Sequence, residues 1–235
     1  MKLLRGDGPP LRVGHRGAAA LAPENSLAAI EAALREGVDA VEFDVLGDGD
    51  GLVLAHSHHD LDGDRASLDD ALALIASSSA GAHVDLKRRG HEAGIADALR
   101  RHGLLERSVV SSLDAAALRD VRRHEPRLRV GLSYPEDRLG VAGYRAAAPA
   151  LAVGLAALKR TLPIVLPRWL DRAGASAAML HHALVTPRVV ARCHARGAGV
   201  WAWTVNDGAT AARVAAAGAD AIITDDPRIL RRSTS

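Results

Sequence analysis

The chain of 235 residues contains one cysteine, Cys193, which excludes an intramolecular disulfide framework. Its thiol lies in an apolar periodic segment, where a buried structural role is expected rather than a nucleophilic one. Charge of one sign is also missing: 30 Lys and Arg against 28 Asp and Glu leave +2, with no long basic run to bind nucleic acid. The least charged stretch, Ala146 to Leu158, contains Pro149 and is flanked by Arg145 and Lys159. It is shorter than the ~20 apolar residues that span a bilayer, so no transmembrane segment is expected. Met1 to Pro10 carries two cations but no apolar run, which gives no secretory signal and an expected cytoplasmic setting.

What is present is alternation. Short apolar or β-branched runs ending in polar residues are followed by longer Ala/Leu/Arg segments with helical spacing. Strands are predicted at Arg12 to His15, Ala40 to Val45, His83 to Lys87, Ser108 to Ser112, Arg129 to Tyr134, Ala178 to His182, Gly199 to Val205 and Ala221 to Thr224. Helices are predicted over Ser26 to Glu36, Leu68 to Ala76, His91 to His102, Asp114 to His124, Pro187 to Arg196 and Ala209 to Ala217, with Ser26, Ser67 and Asp114 as capping residues. Such repetition predicts an α/β fold of parallel strands with helices outside. No G-x-G-x-x-G turn follows the first strand, which favours a closed (β/α)8 barrel of the TIM type over an open doubly wound sheet. Gly51 to Ala55 adds a short hairpin strand after the second strand, through a turn at Gly47-Asp48-Gly49-Asp50. Val141 to Ala175, with three prolines, has no strand signal and is expected to supply helices that cap the barrel.

Working groups of such barrels sit at the C-terminal ends of strands. There the pattern places His15, Glu42, Asp44, Asp85, Lys87, Trp203 and Asp225. Strand alternation turns Glu42 and Asp44 to one face, and Asp85 adds a third hard oxygen donor, a set suited to Mg²⁺ or Ca²⁺. The same acids would otherwise pair with Arg16 and Lys87 as a structural network. His15 and His56 make an acid/base pair near neutral pH, with His59 as the rival to His56 in the run His56 to His59. Arg16 and Lys87 suit a phosphate, Asn25 either donates to an anion or belongs to the loop before a helix cap, and Trp203 offers an apolar wall. Trp201 is expected in the core, and His181, His182 and His194 are expected to be structural.

Taken in order, His15-Arg16-Gly17, Pro23-Glu24-Asn25-Ser26, Glu42-Phe43-Asp44-Val45, Val84-Asp85-Leu86-Lys87, Trp203-Thr204-Val205-Asn206, Gly218-Ala219-Asp220 and Thr224-Asp225 resemble the glycerophosphodiester phosphodiesterase family. The resemblance implies one barrel domain over residues 1–235, core about 11–229, that cuts glycerophosphodiesters into glycerol 3-phosphate and an alcohol with a divalent cation, Mg²⁺ or Ca²⁺. It implies His15 and His56 as the catalytic pair, Glu42, Asp44 and Asp85 as metal ligands, and Arg16 and Lys87 as phosphate contacts. Two departures stand out. The family usually has glutamate where Asp85 stands, and its His-Asp dipeptide matches His59-Asp60 literally, whereas alignment by the Leu52 to Ala55 strand selects His56. An alternative substrate is a lysophospholipid, for which Ala146 to Leu166 would form a lipid-facing cap and a peripheral membrane contact, and an alternative of another class is a non-catalytic barrel that binds phosphorylated ligands.

Overall fold

The structure is a computed structural model that describes residues 1–49, 51–61, 65–135 and 148–230. Nine strands form one sheet: β1 (Leu11–Gly14), β2 (Ala40–Asp48), β3 (Gly51–Leu54), β4 (Gly81–Leu86), β5 (Ser108–Ser112), β6 (Arg129–Tyr134), β7 (Ala177–His181), β8 (Gly199–Trp203) and β9 (Ala221–Thr224). Strand β3 is antiparallel to β2 and lies outside; the other eight pair in parallel, and β1 bonds both β2 and β9, so the sheet closes. This is the (β/α)8 barrel with an extra hairpin strand. Closure satisfies every edge except the short one at β3.

Two apolar layers follow from strand alternation. Phe43, Val45, Val84, Leu86 and Val110 face outward against the helices, while Val13, Ala40, Val109, Met179, Trp201 and Ile223 fill the barrel. Leu3 joins the inner layer, and Trp201 Nε1 donates to the Leu3 carbonyl at 3.3 Å. The N-terminal residues, outside the core read from sequence, thus close the barrel at the strands' N-terminal ends. A Cβ on Gly199 would lie 2.3 Å from that same carbonyl, so the close approach needs glycine there.

The helices are α1 (Leu27–Arg35), α2 (Leu68–Ala76), α3 (Glu92–Arg101), α4 (Ala115–His124), α5 (Ala148–Ala173), α6 (Pro187–His194) and α7 (Gly208–Ala216). Ser26, Ser67 and Asp114 each accept a backbone N–H in the first turn of their helix, as expected. Thr186 and Asp207 do the same for α6 and α7. Of the expected turn, Asp50 lies outside the described residues, and so do 141–147 of the segment read as 141–175. The rest of that segment is one long helix, α5, with Pro163 and Pro167 inside it. Leu162, Leu166, Leu170 and Ala173 are buried along one side, so α5 serves as the outer helix between β6 and β7. Strand β7 begins one residue earlier than its weak sequence signal. Among the described residues no helix is long and apolar enough to cross a membrane.

Candidate active site

A cavity of about 590 Å³ opens at the C-terminal ends of the strands. His15, Arg16, Glu42, Asp44, His56, Asp85, Lys87 and Trp203 all line it, together with His58, His59 and Arg88. The strand pattern accounts for the convergence, because Glu42 and Asp44 share the inner face of β2, and His83, Asp85 and Lys87 share that of β4 and its extension. Oxygens of Glu42, Asp44 and Asp85 lie within 4.8 Å of one another.

The chain enters the site through a strained turn. Arg16 and Asn25 both have positive φ, 48° and 54°, and Gly17 has φ 88° with its Cα packed on α1: a Cβ there would lie 2.5 Å from the Ala29 carbonyl carbon. The turn aims the Arg16 N–H at Glu42 Oε2, 2.8 Å away, so a backbone donor fixes one acid. Asn25, buried, fixes another: its Nδ2 donates to Asp44 Oδ2 and its Oδ1 accepts the Asp44 N–H, both at 3.0 Å. Both ends of the Asn25 amide are thereby engaged behind Asp44, and Asn25 is not part of the cavity wall.

Charges are balanced unevenly. Burial opposes ionisation of Asp44, but the His56 hydrogen bond, Lys87 and Arg16 overcome it and hold its carboxyl well below the usual range. Lys87 Nζ lies 2.7 Å from Asp44 Oδ1 and 2.6 Å from Asp85 Oδ2. Burial disfavours its charge, yet Asp85 and Asp44 raise its pKa above the ordinary lysine value. Glu42 has less compensation: burial and then the charge of Asp44 push it up to about 7. Arg16 Nη1 pairs with Glu24 at 2.8 Å, and its Nε lies 3.1 Å from Asp44 Oδ2 without hydrogen-bond alignment.

The two histidines are held differently. His15 Nδ1 lies 2.6 Å from Asp225 Oδ1, and its Nε2 faces Glu42 at 4.0 Å. Burial opposes its charge, but Glu42 and the Asp225 hydrogen bond prevail and raise its pKa. Asp225 is bracketed by Asn206, whose Nδ2 donates to Oδ2 at 2.5 Å and whose Oδ1 accepts the Asp225 N–H at 3.0 Å. His56 Nδ1 lies 3.0 Å from both Asp44 Oδ2 and Arg16 Nη2. One ring nitrogen can serve only one of these, as donor to the carboxylate or acceptor from the guanidinium, and either leaves Nε2 free. His59 lines the cavity as well, but of these two rivals it is His56 that contacts an acid of the cluster, Asp44.

Reading from sequence gave no role to His83, Ser111 or Asn206, although Asn206 ends one of the motifs that carry the resemblance. Their partners are 28 residues away for His83 and 19 for Asn206, so the pairings are not local. Of the histidines expected to be structural, His194 Nε2 meets Asp220 Oδ2 at 2.8 Å, and the rings of His181 and His182 lie with centroids 4.3 Å apart and planes tilted by 34°. Trp201 is fully buried, while Trp203 stands at the cavity wall.

Hard oxygens, three acids and incomplete compensation at Glu42 fit a divalent cation. They also form a network with Arg16 and Lys87, so a cation would share Asp44 and Asp85 with side chains already present.

Comparison with known proteins places the chain in a family. The model of the glycerophosphoryl diester phosphodiesterase family matches residues 15–73 and 77–229. A glycerophosphodiester phosphodiesterase of Caldanaerobacter subterraneus subsp. tengcongensis is 26% identical, over 94% of this chain and 96% of its own. A solved structure from Silicibacter pomeroyi DSS-3 superposes with TM-score 0.72 at 26% identity, covering 96% of this chain and 95% of that one. A phosphodiesterase of Oleispira antarctica, solved with the product sn-glycerol-3-phosphate, has TM-score 0.72 at 22% identity over 94% and 96% of the two chains. With most of its length matched by the family model, this chain belongs to the glycerophosphoryl diester phosphodiesterase family, whose members are phosphoric diester hydrolases.

Proposed function

We propose that the chain hydrolyses glycerophosphodiesters to glycerol 3-phosphate and an alcohol, using His15 and His56 as its acid/base pair and a divalent cation, Mg²⁺ or Ca²⁺, held by Glu42, Asp44 and Asp85. The observation that carries this is the meeting of both histidines, the three acids, Arg16 and Lys87 in one cavity. The product bound to the Oleispira antarctica relative is in keeping with it.

His15 has its Nδ1 occupied by Asp225 and its charge favoured, so it is suited to donate a proton from Nε2 to the departing alkoxide. His56 keeps Nε2 open and takes the proton of the attacking nucleophile. As the new P–O bond forms, the bond to the alcohol oxygen breaks, and that oxygen leaves with the proton from His15. Arg16 and Lys87 hold the phosphoryl oxygens, the first through a planar fork and the second as a point charge. Trp203 supplies an apolar wall for the substrate. Glu42, Asp44 and Asp85 would hold the dication, which would supply Lewis-acid stabilisation of the charge developing on the phosphoryl group. Asn25 acts through Asp44 rather than on the substrate.

The test is release of glycerol 3-phosphate from glycerophosphocholine in EDTA, then with Mg²⁺ or Ca²⁺ restored, by the wild type beside His56→Ala and His59→Ala. Metal-dependent turnover that His56→Ala lowers by about 10²–10⁴-fold, with His59→Ala near the wild type, is the expected result. The reverse order of the two variants would assign the second role to His59. Turnover of a lysophospholipid but of no glycerophosphodiester would replace the proposed substrate.

A further inference from the structure

Below the acids, His83 and Ser111 form a chain of hydrogen bonds that leads to Asp85 and that the proposed chemistry does not use. His83 is 2% exposed, inside the barrel, with its ring edge-on to Trp201 at 5.3 Å between centroids and 90° between planes. Its Nε2 lies 2.8 Å from Ser111 Oγ, and the Ser111 hydroxyl in turn donates to Asp85 Oδ1. Ser133 Oγ reaches the same oxygen at 3.5 Å, and Lys87 holds Oδ2.

The direction of these bonds follows from proton counting. A serine hydroxyl has one proton, and an ionised Asp85 can only accept, so that proton goes to Oδ1. Ser111 Oγ must then accept from His83, which requires the ring to carry its proton on Nε2. The remaining nitrogen, Nδ1, is left as a bare acceptor, and it is buried with no hydrogen-bond partner. A protonated ring would place an unmet donor there, so the network calls for neutral imidazole, held in plane by Trp201.

We propose that His83 and Ser111 are positioning residues for Asp85: the neutral ring orients the serine hydroxyl, and the hydroxyl fixes the rotation of the carboxylate that stands with Glu42 and Asp44. The inference rests on the metal-binding reading above and extends it to two residues below the site. The His83–Ser111 pair has the role that outer partners have around metal ligands, where their loss typically costs about 10–100-fold in affinity. Asp85 is short and only part-buried, so without Ser111 its Oδ1 would keep only the longer 3.5 Å contact of Ser133 while Lys87 still holds Oδ2.

The experiment is calorimetric titration of Mn²⁺ into the EDTA-stripped protein, for the wild type, Ser111→Ala, Ser111→Thr, His83→Phe, Asp85→Ala and the Asp85→Ala/Ser111→Ala double variant, each with its melting curve. Ser111→Ala is expected to weaken binding by about 10-fold or more, Ser111→Thr to restore it, and the double variant to bind no worse than Asp85→Ala. His83→Phe keeps the ring against Trp201 and deletes the donor, so it should follow Ser111→Ala; should it fail to fold, the two serine variants decide alone. Nitrogen chemical shifts of the wild-type ring should show protonation at Nε2 and a bare Nδ1. Folded Ser111→Ala that binds Mn²⁺ as tightly as the wild type overturns the proposal and leaves the metal reading standing. A wild type that binds no Mn²⁺ overturns both.

Discussion

At the scale of single residues the site is a set of acids, each oriented by a different neighbour. Arg16 N–H orients Glu42, Asn25 orients Asp44, and Asp225 orients the His15 ring. The last link gives a sharp prediction. Asp225→Asn keeps the size of the side chain but removes the charge that favours the protonated His15 ring, and an amide nitrogen turned toward Nδ1 would oppose a proton there. Turnover should fall by about 10²-fold or more while the melting curve stays near that of the wild type, since Asp225 lies at the rim rather than in the core. A variant with wild-type kcat would remove His15 from the acid role. The site residues at the strand ends were legible in the sequence, because strand alternation turns polar residues of an apolar run to one side. Asp225 was visible as a strand-end acid, but its pairing with a histidine 210 residues away was not, nor was the clamp that Asn206 places on it. For Asn25 the chemistry was legible and the partner was not: it donates to an anion, but that anion is the protein's own Asp44.

At the scale of elements, regular strands and capped helices could be read because their signals are local. A Ser or Asp before an apolar run competes for the same backbone N–H groups in any fold. Over Val141 to Ala175 helices were expected, but not as the single long α5, for an equally local reason. Pro163 and Pro167 each lack an N–H and disfavour the helix around them, yet Leu162, Leu166 and Leu170 recur every four residues and bury one side of it. Tertiary burial overrides propensity there. The α3–α4 layer carries a second kind of element-level contact that can be tested by pH. Glu125, at the end of α4, accepts from Arg127 Nε and Nη2 at 3.1 and 3.0 Å and from Arg100 Nη2 of α3 at 3.0 Å. These bonds, those of Arg127 first, pull its pKa down to about 2 from an ordinary 4.5. A folded-state pKa below the unfolded one means that the contribution is present above pH 4.5 and is lost as pH falls toward 2. Wild type and Glu125→Gln should therefore differ in melting midpoint by a constant amount above about pH 5, and the gap should close as pH drops through the window from 4.5 to 2. A gap independent of pH would show that the contact acts through packing alone.

At the scale of the whole molecule, the barrel binds polar and charged groups at one end and closes the other with its own N-terminus. The closed end is apolar and complete: Leu3 and Trp201 fill it, and backbone approaches there leave no room for a side chain on Gly199. The open end is not self-sufficient in charge, because Glu42 is buried beside two other acids and only partly offset by His15. A cation that binds only the folded barrel would supply the missing compensation and, through linkage, stability. At about 100 times its dissociation constant it should add about 2.7 kcal/mol. For a chain of this size, where 1 kcal/mol moves the midpoint by about 2–4 °C, Mg²⁺ or Ca²⁺ should raise Tm over EDTA by roughly 5–10 °C. Glu42→Gln separates this from a general salt effect. With one buried charge removed, the variant should melt above the wild type in EDTA, yet gain little when the metal is added, so that the order of the two proteins reverses or closes on going from EDTA to metal. Equal responses in both would mean that Arg16 and Lys87 already satisfy the acids and that the cluster is an ion-pair network rather than a metal site.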